Sequence, residues 1–113
     1  MIPEEYKELV DKLVTLTENR KINWETTSDT TKFSFGGSKV SALIYNGNDF
    51  QTGEDFVRLE LLDILGDQID GFYVDEHDED FPKMLALYNS SKRNALKIEE
   101  SISSLLNDLN QIQ

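Results

Sequence analysis

The sequence predicts an α+β domain: an N-terminal helix, an antiparallel sheet of four to five strands in hairpin order, and a C-terminal helix or broken helix pair packed on the sheet. Three observations predict it. From Phe56 to Val74 (FVRLELLDILGDQIDGFYV) apolar residues recur at alternate positions, the period of a half-buried strand pair. At both ends of the chain they recur at spacings of three and four, the period of a helix with one buried face. The length of 113 residues suits one domain over residues 1–113, with roughly two thirds of the unfolded surface buried around a single core.

The first helix opens at Pro3 with Glu4 and Glu5 behind it. Proline fits a first turn whose N–H groups lack partners, and carboxylates favour the positive end of the helix dipole. Tyr6, Leu9, Val10, Leu13 and Leu16 then share a face, and the helix is expected to end near Asn19, before Arg20 and Lys21. Ile22 and Trp24 fall on one side of an expected short strand, with Trp24 read as a core residue.

Phe33 and Phe35, then Val40, Ala42 and Ile44, alternate with other residues on either side of Gly36 and Gly37, which describes a hairpin with a glycine turn. The GGSK at this turn lacks the spacing of a phosphate-binding loop and leads into a strand, not a helix. Asn46–Asp55 reads as an exposed loop, rich in turn formers, with Phe50 isolated in it. The loop lacks the spacing of a calcium site. In the central hairpin Val57, Leu59 and Leu61 alternate on the first strand, and Ile69, Gly71 and Tyr73 on the second.

From Phe81 the period becomes helical again, through Leu85, Tyr88, Ala95, Ile98, Ile102, Leu105, Leu109 and Ile112. Unbroken, this helix would run about 48 Å at 1.5 Å per residue, longer than the roughly 34 Å diameter of a compact domain of this size. A break within Ser90–Lys97 is therefore expected, with both halves packed on the sheet. The alternative is an end that projects and pairs with another chain, because the 3,4,3,4,3 spacing from Ala95 to Ile112 is heptad-like.

The formal charge is −11, and residues 54–80 hold 11 acids against one base. That surface opposes direct binding to nucleic acid or anionic lipid and would attract cationic partners. No cysteine is present, which removes disulfides, thiolate nucleophiles and Cys-ligated zinc. The N-terminal stretch is acidic where a signal peptide is basic, and no apolar run approaches the roughly 18 residues of a membrane span. A cytoplasmic protein without a membrane partner is expected.

Asp75–Asp80 (DEHDED) holds the only histidine, His77, among five carboxylates. The expected role is capping of the following helix by Asp78 or Asp80, with metal binding at this run as an alternative. No nucleophile turn such as G-x-S-x-G accompanies the histidine, so no enzyme activity, catalytic residue or cofactor is expected.

RKINWE, LELLDILGDQID and LYNSSKRNALKIEESISSLLNDL, in that order and spacing, resemble a pattern found in small uncharacterised bacterial proteins. The matching positions are Trp24, Asp63 and Gly66. The resemblance implies the architecture already described and a bacterial or prophage setting, and brings no catalytic residues.

The function expected is a non-catalytic protein-interaction domain of unknown partner, in which Ile98, Ile102, Leu105 and Leu109 either complete the core or form a homodimer or partner contact. An alternative is an acidic mimic of nucleic acid, inhibiting a basic enzyme through Glu60, Asp63, Asp67, Asp70, Glu76 and Asp78, provided that these share one exposed face.

Overall fold

A computed structural model describes residues 1–112 of the chain. Helix α1 spans Lys7–Glu18 after a 3₁₀ turn at Glu4–Tyr6. Five strands follow: β1 (Glu25–Thr26), β2 (Lys32–Gly36), β3 (Ser41–Asn48), β4 (Asp55–Leu62) and β5 (Gln68–Asp75). Helices α2 (Phe81–Ala95) and α3 (Ile98–Ile112) complete the chain. The strands form one antiparallel sheet in sequence order, β1-β2-β3-β4-β5. The α+β class, the N-terminal helix, the hairpin order and the broken C-terminal helix are as the sequence predicts.

One face of the sheet carries the core. Phe33, Ala42, Ile44, Val57, Leu59, Phe72 and Val74 meet Tyr6, Val10 and Leu13 from the α1 side and Met84, Leu87 and Tyr88 from α2. α2 crosses all five strands and packs beside α1. Trp24 is buried as expected, its indole Nε1 donating to Thr17 Oγ1 at 2.9 Å.

Local assignments shift where tertiary geometry overrides pattern. The segment with Ile22 and Trp24 is held by Asn94 instead of a strand: Trp24 N donates to Asn94 Oδ1 at 2.6 Å, and Asn94 Nδ2 donates to the Ile22 carbonyl at 3.1 Å. The strand begins only at Glu25. The expected 46–55 loop narrows to the turn between Asn48 and Asp55, because Asn46 pairs with Val57 and Gly47 with Phe56. Leu16 is exposed, and Thr17 takes the buried position in its place.

The alternation on β5 runs opposite to the one expected. Val57 pairs with Val74 and Leu59 with Phe72, so Phe72 and Val74 face the core while Tyr73 faces outward, 60% exposed. Leu61 pairs with Asp70 and Leu62 with Gln68, leaving Ile69 as the extra residue of an irregularity. A one-residue offset on a strand of period two exchanges the faces of every side chain.

The open face of the sheet carries its own packed layer. The Phe56 ring lies edge-on to Tyr45 and Tyr73, at centroid distances of 6.3 and 6.1 Å. A Cβ on Gly47 would come within 2.6 Å of that ring; glycine lets the aromatic lie against the strand. Glu60 Oε1 accepts from both Tyr45 OH at 2.9 Å and Arg58 Nε at 2.8 Å.

Candidate interaction surface

α2 ends at Ala95 with Leu96 as its C-cap, and Lys97 turns the chain in the left-handed region at φ 53°. This is the break expected within 90–97, although Ser90–Ala95 remain helical. The C-terminal pair packs on the sheet through α2; α3 approaches α2 and no strand. Its departure accounts for the elongated shape, 53 × 35 × 26 Å with a radius of gyration of 15.9 Å, against about 13 Å for a compact chain of this length.

No residue of α3 is buried. Ile102, Leu105, Leu106, Leu109 and Ile112 are all 51–79% exposed and form its apolar stripe, while Ile98 is half-buried near the body. Leu106 was absent from the expected set, because a strict heptad spacing passes over it. Its presence widens the face from a narrow seam to the broader stripe of a packed helix. A helix of this length is marginal in water unless its apolar face is covered.

The base of α3 is clamped by charge. Glu99 Oε2 lies 3.2 Å from an Arg20 guanidinium nitrogen, and its Oε1 lies 3.3 Å from one of Arg93. Arg20 follows the end of α1 in a left-handed conformation at φ 57°, its N–H donating to Thr17 O while Lys21 N–H donates to Leu16 O. Such a turn closes a helix on its own carbonyls and here presents Arg20 toward α3. These side chains, with Lys97, Glu18, Glu100 and others, border a cleft of about 320 Å³. Three cations and three carboxylates line it, so their formal charges sum to zero, and nothing in the linear sequence links Arg20 to Glu99.

The six carboxylates of the acidic alternative do not share a face. Asp63 and Asp67 lie at the β4–β5 turn, whereas Glu76 and Asp78 lie beyond the opposite end of β5. Glu60 belongs to the open sheet face and is held by Arg58 and Tyr45, while Asp70 accepts from Tyr6 OH on the helix side.

Asp75, Glu76, Asp78 and Asp80 are taken up by hydrogen bonds to backbone N–H groups, though not in the capping expected. Asp80 stands at the N-cap of α2 without a side-chain cap bond and instead accepts from Ile2 N–H at 2.7 Å. Asp78 accepts from Asp80 N–H, Asp75 from His77 N–H, and Glu76 from Asp55 N–H. His77 Nε2 lies 3.1 Å from Glu54 Oε1 with its side chain 71% exposed. Among the described residues no three His, Asp or Glu side chains converge as metal ligands would, and no helix is long and apolar enough to cross a membrane. Phe50, at the β3–β4 turn, is 90% exposed.

Comparison with protein-family models, with curated proteins and with solved structures finds no match to this chain.

Proposed function

We propose that the protein is a non-catalytic interaction domain that self-associates through α3. The observation that carries the reading is the contrast within the C-terminal helix pair. α2 buries Met84, Leu87, Tyr88 and Ser91, while α3 has an equally clear apolar face and buries nothing. Taking a Leu or Ile fully out of water contributes about 1.5–3 kcal/mol. Five such side chains at half exposure or more provide a driving force for association, and a second copy supplies the same uncovered face.

The other chemistry-capable groups support the same reading. His77, Glu76, Asp78 and Asp80 are engaged with backbone or side chains around them, and Arg20 and Arg93 are both paired with Glu99. The proposal extends to a cytoplasmic setting, for which the support is the cysteine-free composition.

Size-exclusion chromatography with light scattering tests the reading on the whole chain from micromolar to millimolar concentration. A dimer mass that Leu105→Glu converts to a monomer mass is the expected result. A monomer throughout that range would refute self-association.

A further inference from the structure

We propose that two copies pair through α3 in antiparallel order, about a twofold axis beside Leu106 and Asn107. Ile102 of each chain then packs against the partner's Ile112, and Leu105 against the partner's Leu109. The inference rests on the self-association reading and adds the direction and register of pairing.

The stripe itself specifies the reversal. Ile102, Leu105, Leu109 and Ile112 are spaced 3, 4, 3 and run Ile-Leu-Leu-Ile, so the series reads the same from either end. A twofold contact requires a surface complementary to its own copy. Reversing α3 about Asn107 places each of these four residues on another of the four. The axis passes beside Leu106, where the stripe is widest. Ile98 and Ala95 stay outside the pairing, half-buried against the chain's own body.

Electrostatics favours the same direction. Residues 1–97 hold 19 acids and 11 bases, a net −8, while α3 adds only Glu99, Glu100 and Asp108. Parallel helices would bring two strongly acidic bodies to one end of the pair. In antiparallel order α3, about 22 Å long at 1.5 Å per residue, stands between them, well beyond the roughly 8 Å over which physiological salt screens charge. The helix dipoles also oppose one another, and the Glu99–Arg20–Arg93 clamp fixes each α3 against its own body at the outer end of the pair.

Because the chain has no cysteine, single thiols report the geometry directly. Ile102→Cys and Ile112→Cys alter exposed positions outside the core. The two sites are ten residues apart, about 15 Å along the helix, whereas a disulfide needs Cα atoms within roughly 7 Å. In oxidised glutathione the two variants mixed should form a heterodisulfide dimer, and neither variant alone should cross-link. Cross-linking of either variant with itself would show parallel pairing and overturn the proposal while leaving self-association intact. A light-scattering dimer with no cross-link in any combination would place the contact elsewhere and also overturn it. A monomeric wild-type chain would overturn both this proposal and the reading beneath it.

Discussion

The hydroxyl of Tyr6 donates to Asp70 Oδ2 at 2.6 Å, joining the turn before α1 to edge strand β5 across 64 residues of sequence. Burial, followed by the bond to Asp70, pushes the Tyr6 phenol up to about 12. The bond from Tyr6, followed by the Gly71 N–H, holds the Asp70 carboxyl below its ordinary value. The phenol, raised on folding, contributes stability that is complete below pH 10 and lost as pH rises from about 10 to about 12. Asp70, lowered on folding, contributes stability present above its unfolded value near 3.8 and lost as pH falls through its depressed folded value. Urea titrations across both windows should show the two losses, and Tyr6→Phe should reduce both, with part of the alkaline loss retained because burial also raises the Tyr45 and Tyr88 phenols.

Asn94 is expected to be a keystone of the α1–β1 connection. Replacing it with alanine leaves the Trp24 N–H and the Ile22 carbonyl, both in part-buried bonds, without their side-chain partner, at a cost of about 1 kcal/mol. The only tryptophan in the chain sits at this point, so its fluorescence in urea reports the loss.

Gly47 and Gly71 should differ in tolerance. A methyl group on Gly47 meets the Phe56 ring at 2.6 Å, and the ring can swing outward. On Gly71 it meets the Leu59 backbone carbonyl at 2.8 Å, which belongs to the central sheet. Gly47→Ala should cost about 1–3 kcal/mol, as overpacking typically does, and Gly71→Ala more, measured by thermal unfolding.

Ser91 offers a stabilising substitution. It is fully buried on α2 and its hydroxyl has no hydrogen-bond partner among the described residues. Ser91→Ala removes an unsatisfied polar group and should raise the unfolding free energy by about 1 kcal/mol. An unchanged or lowered urea midpoint would count against it.

The apolar face of α3 should be separable from folding. Leu109→Asp, measured by urea titration at concentrations low enough for the monomer, should leave the unfolding free energy within about 0.5 kcal/mol of wild type, as expected for a surface position. The same change to Leu87, which is 1% exposed, should prevent folding, as circular dichroism would reveal.

Much of the architecture is legible in local pattern, because each element announces its own period. The 3.6-residue repeat of α1 and α2, the two-residue repeat of β2, β3 and β4, and the glycine-bearing turns all follow from which neighbours share a face. The break after α2 also follows, since an unbroken helix exceeds the domain. Less of the candidate surface was legible. Ile102, Leu105 and Leu109 were marked by spacing, Leu106 was hidden by the heptad frame, and the pairing of Glu99 with Arg20 spans 79 positions that no local pattern connects.

Sequence alone determined the fold class, the order of elements and the amphipathic character of α3, because these depend on side chains within one or two turns or along one strand. Tertiary structure decided which face of β5 turns inward, since Phe72 and Tyr73 are both plausible core residues until the ladder with β4 sets the register. It also decided that α3 stands away from the sheet: α2 already covers the five strands, leaving the second apolar helix no inner surface to fill.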